Sequence, residues 1–243
     1  MEQFVRQGAD VVVKPNICTD YYPYEYGATT NPEVVGALVA MCVGAGARRV
    51  RVMDNPFGGT AQSAYKRSGI EEAVNRAGGE MEVMNRNKFK AAEIPGGLDI
   101  REWIFYKDIL DADVVIDVPV AKHHGTTRLT LGCKNLMGTI LDRGKIHANI
   151  HQRIADLVSC VRPALTVVDA VRTLMRNGPT GGNLDDVRMT NTIIASADIV
   201  AADSYAATLF DLAPADIGYI QAAADMGLGV MDLTSMRIEE LSI

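Results

Sequence analysis

The chain has 243 residues, 48% of them hydrophobic, and a formal net charge of −6 at pH 7. That composition excludes a disordered chain and supplies the core of one large α/β domain, expected here to span residues 1–243. The acidic balance excludes general nucleic-acid binding, which needs a basic face, but leaves local basic clusters free to hold one small anion.

Apolar runs alternate with helical patterns along the chain. "DVVVKP" (10–15) reads as a buried strand. "NPEVVGALVAMCVGAGA" (31–47) reads as a helix, with Asn31 as its cap and Pro32 at its first position. A second strand is predicted at 48–54, a helix over 60–79 with a break near Gly69, and a third strand at 80–84. Gly96-Gly97 predicts a hairpin turn within 94–110. "ADVVIDVPV" (112–120) carries the clearest strand pattern, followed by a connection over 121–145. An amphipathic helix follows over 146–161, placing Ile150, Ile154, Leu157, Val158 and Val161 on one face. Strands are expected at 164–170 and 189–196, helices at 197–212 and 214–227, and an edge strand at 235–241. Repeated strand–helix–strand order predicts a largely parallel sheet with helices on both faces, carrying inserted loop and hairpin segments.

Ligands of such sheets bind beyond the carboxyl ends of the strands. The polar residues fall there. The first strand ends in Lys14 and Asn16, the second in Asp54 and Asn55, the strand at 112–120 runs into Lys122, His123 and His124, and the strand at 164–170 ends with Asp169. The stretch "VPVAKHHGTTRLTLGCKNLMGTI" (118–140) then adds Lys134 and Asn135 among small and apolar neighbours. Lys14, Asn16, Asn55, Lys122 and Asn135 are therefore candidates for binding an anionic ligand, with an ion pair from Lys14 to Asp54 or Asp169 as the structural alternative. A buried Lys134 has the chemistry of a base or nucleophile, against the simpler reading of a lysine snorkelling along a helix.

All four histidines lie between 123 and 151. His123 and His124 are the candidate acid/base groups, and since adjacent side chains diverge, one of them is expected to face the pocket. His147 and His151 are one helical turn apart. A divalent metal held by His123 and rim carboxylates such as Asp54, Asp169 or Asp203 is chemically sensible. The glycine-bearing loops "NPFGGT" (55–60) and "NGPTGG" (177–182) match neither dinucleotide nor P-loop spacing. The loop "CTDYYPYEYGATTNP" (18–32) holds four tyrosines and reads equally as packing, lid or subunit contact. The four cysteines, Cys18, Cys42, Cys133 and Cys160, include no CxxC pair and so no iron–sulfur motif.

Taken in order, "VVVKPNI", "ATTNPEVVGALVAMCVGAGARRVRVMDNP", "DADVVIDVPVAKHHGTTRLTLGCKNLMG", "VVDAVRTLMRNGPTGG" and "IIASADIVAADSYAA" resemble the family catalogued as domain of unknown function 362. The resemblance runs from about residue 10 to residue 230. It implies the α/β fold but no reaction. Members of that family often carry ferredoxin-type iron–sulfur clusters, a role not transferred to a chain without the cysteine spacing. Some relatives are exported by a twin-arginine signal, so an exported form stays open beside the cytoplasmic location expected from reduced cysteines and the lack of a signal-peptide core. "PVAKHHG…LGCKNLMG" is also faintly similar to the Lys-Pro-His and Gly-Leu-x-Lys pattern of lactate-racemase-like proteins, which use a nickel-bearing nucleotide-derived cofactor.

The expected function is an enzyme acting on a small anionic substrate or cofactor at the rim, with metal-assisted or redox chemistry favoured. The alternatives are a carrier of a cofactor or metal, and a protein-interaction subunit. No nucleic-acid or membrane partner is expected, and a homo-oligomer is left open.

Overall fold

The computed structural model describes residues 1–242. An eight-stranded sheet forms its centre. It is built from β1 (Asp10–Pro15), β2 (Arg49–Val52), β3 (Glu80–Met81), β6 (Val114–Val118), β7 (Val120–His124), β8 (Arg128–Thr130), β9 (Leu165–Leu174) and β10 (Val187–Ser196). β4 (Phe89–Glu93) and β5 (Glu102–Tyr106) make a separate antiparallel ribbon. Strands β3, β2, β1, β6 and β9 lie side by side, all parallel. After Pro119 the chain of β6 continues as β7, still parallel to β9. β8 pairs antiparallel with β7, and β10 pairs antiparallel with β9.

Both faces of the sheet are covered, which is why its parallel strands read as continuous apolar runs rather than alternating ones. Val11 and Val13 join one core with α1 (Pro32–Gly44), α2 (Ala61–Arg67) and α3 (Ile70–Arg76). Val12, Val115 and Val168 join the other, with α7 (Ile150–Val161), α8 (Ile199–Thr208) and α9 (Gly218–Asp225). Each such valine contributes about 1.5–3 kcal/mol by leaving water. The Asn31 side chain caps α1 by accepting from Glu33 N at 3.1 Å, and Gly69, at φ 77°, separates α2 from α3.

Three predicted boundaries change. The segment 121–145 is no plain connection: it forms β7, β8, α5 (Gly132–Asn135) and α6 (Arg143–Ile146). Its strand pattern is hidden in the sequence because β7 carries Lys122, His123 and His124 in succession. β9 runs on to Leu174, so Asp169 sits in mid-strand and not at a carboxyl end. The tail 235–241 forms no strand; Glu240 instead takes a hydrogen bond of 2.5 Å from Tyr205 Oη. Asp198 caps α8, accepting from Ala201 N at 2.9 Å.

The hairpin expected around Gly96-Gly97 is the β4–β5 ribbon, followed by α4 (Lys107–Leu110). A Cβ on Gly97 would lie 1.9 Å from Ile100 O, so the turn needs glycine. The turn is tied down from α7: the buried Asp156 carboxylate accepts from the backbone N–H groups of Leu98, Asp99 and Ile100, each at 2.9 Å.

Candidate functional site

Beyond the ends of β1, β2 and β7 lies a cavity of about 420 Å³. Its floor is a buried polar network. Lys14, at the end of β1, is fully buried; its ammonium meets Asp54 Oδ1 at 2.9 Å, Asn135 Oδ1 at 3.0 Å and Pro15 O at 3.0 Å. Three donors are all that an ammonium has. The Asn135 oxygen also accepts from Asn16 Nδ2 at 2.8 Å, and its Nδ2 donates to Asp117 Oδ1 at 2.8 Å. Lys122, equally buried, donates to Asn16 Oδ1 at 2.7 Å, Ala28 O at 2.6 Å and Cys18 Sγ at 3.3 Å. Residues from four distant segments are thus linked in one network.

The chain above this floor must pass very close to it. A Cβ on Gly138 would lie 2.0 Å from Asp54 Oδ1 and 2.6 Å from Lys14 Nζ. The short helix α5, which delivers Lys134 and Asn135, is anchored from behind by Asp203 of α8. Its carboxylate accepts from Gly132 N at 2.6 Å and Cys133 N at 2.9 Å. Burial pushes the Asp203 pKa up to about 7, against the pull of those N–H bonds.

Two wall residues carry the available chemistry. Among the described residues Lys134 has no carboxylate partner, and its ammonium hydrogen-bonds only to Met137 Sδ, at 3.7 Å. Burial lowers its pKa to about 8; Cys18 acts in the opposite direction, and the positive charges of Lys122 and Arg143 add to the lowering. His124 follows Lys122 by two positions on β7 and so shares its face. Its Nδ1 accepts from Thr126 N at 3.1 Å and Thr127 N at 3.3 Å. The neutral ring therefore carries its proton on Nε2. Burial, reinforced by Lys134 and Lys122, lowers the His124 pKa to about 3, so the ring stays neutral near pH 7 and serves as a hydrogen-bond donor.

Residues 11–208 match the family described as domain of unknown function (DUF362). The chain belongs to that family. A thylakoid-associated protein of Synechocystis sp. (strain ATCC 27184 / PCC 6803 / Kazusa) is 27% identical over 94% of this chain and 71% of its own length. The lactate racemase apoprotein from Thermoanaerobacterium thermosaccharolyticum overlays with a TM-score of 0.47 at 12% identity. That overlay covers 79% of this chain and 47% of the racemase chain, so the DUF362 chain spans about half of the racemase's length.

The DUF362 cavity brings together Lys14, Asn16, Asp54, Asn55, His124, Lys134 and Asn135. Lys122 stands directly behind it, through Asn16 and Cys18. His123 points to the opposite face of β7, where Nδ1 accepts from Gly178 N at 3.2 Å. Asp169 is spent on the backbone: it accepts from Asn31 N at 2.7 Å and Val171 N at 3.0 Å. His123, Asp54 and Asp169 therefore do not converge, and among the described residues no three His, Cys, Asp or Glu side chains are grouped to hold a metal. The metal site expected from those three residues is not built. His147 sits at the cavity mouth, whereas His151 packs beside Gly218.

Three participants escaped sequence reasoning. Cys18 lines the cavity, Arg143 lines it with its guanidinium on Asn55 O, and Asp117 lies beneath Asn135. Asp117 could have been flagged as the lone acid inside the apolar run "VVIDV". No local pattern marks the other two. Asp203, a candidate metal carboxylate by sequence, anchors α5 instead.

Proposed function

We propose that this DUF362 chain is an enzyme that takes a small anionic substrate or cofactor in the cavity at the carboxyl ends of β1, β2 and β7. The observation that carries the reading is Lys134, an ammonium on the cavity wall with no acid to neutralise it. Among the described residues Arg143 is a second cation on that wall without a carboxylate partner, while the one acidic lining residue, Asp54, is already paired with Lys14. The lining therefore has an excess of positive charge that a carboxylate or phosphate satisfies. In this reading Lys134 and Arg143 hold anionic oxygens, and the Nε2–H of His124 donates to an oxygen on which negative charge grows during reaction. Lys14, Asp54, Asn16 and Asn135 fix the floor.

Native mass spectrometry of the purified chain, followed by thermal-shift screening with small carboxylates and phosphates, tests this. Wild type is expected to carry or bind an anion and Lys134→Met to lose it by at least about tenfold, or 1.4 kcal/mol. His124→Gln is expected to keep the ligand and slow its conversion. A ligand bound by all three and converted by none would favour a carrier instead. Equal binding of every anion by wild type and Lys134→Met would remove the reading.

A further inference from the structure

Lys122 presents an unusual charge problem. Its ammonium is fully buried, yet two of its three hydrogen-bond acceptors, Asn16 Oδ1 and Ala28 O, are neutral. No carboxylate lies within ion-pair distance of it among the described residues. An isolated buried cation is costly. Its third partner, Cys18 Sγ at 3.3 Å, is the one group in contact able to supply a negative charge. The Cys18 thiol donates to Asn16 Oδ1 at 3.2 Å, the oxygen that also takes the Lys122 bond, and that amide is locked by the bond from its own Nδ2 to Asn135. Cys18 is only partly buried and lines the cavity. The second observation is Lys134, largely shielded and, among the described residues, without a carboxylate partner, on the same cavity wall as Cys18.

We propose that Cys18 is the nucleophile of the cavity, set against the Lys122 ammonium, and that the ligand class it takes is a small carboxylate bearing an electrophilic carbon. The S–H proton leaves to solvent through the cavity as the sulfur electron pair, favoured by the Lys122 ammonium, forms the new S–C bond. The displaced electron pair departs with a leaving group or moves onto a carbonyl oxygen, and no external oxidant or reductant is needed. This deepens the anion-binding reading, since Lys134 and Arg143 would hold the carboxylate while Cys18 attacks.

The test is competitive alkylation of the intact chain at pH 7 with iodoacetate and with iodoacetamide, read peptide by peptide by mass spectrometry. The Sγ–C bond forms as iodide leaves, so the rate reports nucleophilicity directly. Cys18 is expected to react at least about tenfold faster than N-acetylcysteine, and to prefer iodoacetate more than N-acetylcysteine does. Lys122→Met is expected to slow it about fivefold or more. A Cys18 no faster than N-acetylcysteine with either reagent overturns the proposal. So does a folded Lys122→Met whose Cys18 is undiminished. The wild-type comparison stands even if that variant does not fold. Fast labelling with no preference for iodoacetate would support the nucleophile while counting against the cationic cavity, whereas slow labelling with that preference would do the reverse.

Discussion

Lys14 Nζ lies 2.9 Å from Asp54 Oδ1, and both side chains are almost wholly withdrawn from water. The pair joins the ends of β1 and β2 under the cavity, so it decides whether the floor exists at all. Breaking one side leaves an uncompensated buried charge, which costs about 3–5 kcal/mol. Asp54→Asn is expected to destabilise by that amount in guanidinium unfolding. The double change Lys14→Met with Asp54→Leu is expected to recover much of the loss, because it removes the desolvated charges together. Equal stability of Asp54→Asn and wild type would mean that the pair is not formed.

Gly138 tests the closeness of the turn above that pair. Its missing side chain would sit 2.0 Å from Asp54 Oδ1 and 2.6 Å from the Lys14 ammonium, and both groups are fixed by other bonds. Gly138→Ala must therefore displace either the turn or the ion pair. A loss of about 2–4 kcal/mol is expected, in the range of the larger single-site effects. Gly144, on the same cavity rim, has nothing within 4 Å of where a Cβ would stand. Gly144→Ala is expected to fall within about 0.5 kcal/mol of wild type. Parallel thermal melts of the two variants separate steric closeness from mere presence of a glycine.

The parts of this architecture that were legible in the sequence are those where one physical signal dominates. "DVVVKP" is apolar because both sheet faces are covered, and α1 announces itself through Asn31 and Pro32. The amphipathic face of α7 is buried at every predicted position. Site residues at strand ends, Lys14, Asn16, Asp54 and Asn55, could be found because parallel order fixes where the strands stop. Asp169 could not be placed, because nothing in "ALTVVDAVRTL" marks whether β9 stops at the aspartate or carries on beside β10. His123 and His124 were undecided until β7 proved to be a strand, whose alternation sends them to opposite faces. Asp203 and Cys18 owe their roles to contacts 70 and 104 residues away, which no local pattern encodes.

The lowered pKa of Lys134 gives anion binding a pH dependence with a fixed sign. Burial disfavours the ammonium, so Lys134 begins to lose its charge near pH 8 rather than near 10.5. Binding of sulfate, whose own charge is constant in this range, is expected to weaken as pH rises from 7 to 9 in isothermal titration. A bound anion favours the ammonium and moves the decline to somewhat higher pH. Lys134→Met is expected to bind about tenfold more weakly at pH 7 and to show a flatter profile. A profile of the same shape in both proteins would assign the dependence to another group.

Asp203 should leave its own mark on stability. Its folded-state pKa is raised from 3.8 to about 7, mainly because burial penalises the carboxylate. The folded chain then holds a proton that the unfolded chain has released, so unfolding gains favour as pH rises between those two values. The Asp203 contribution is most stabilising below pH 4, declines through the interval, and is fully lost above pH 7. Asp203→Asn cannot titrate. Wild-type stability relative to this variant is therefore expected to fall by a few kcal/mol between pH 4 and pH 8 in guanidinium unfolding, since a pKa difference of one between folded and unfolded chain is worth about 1.4 kcal/mol. The difference also reports on the site: the two backbone N–H bonds that Asp203 accepts hold the start of α5, and with it the placement of Lys134. A constant difference between the two proteins across that range would show that Asp203 is already ionised at the lower pH and serves only as a charged anchor for α5.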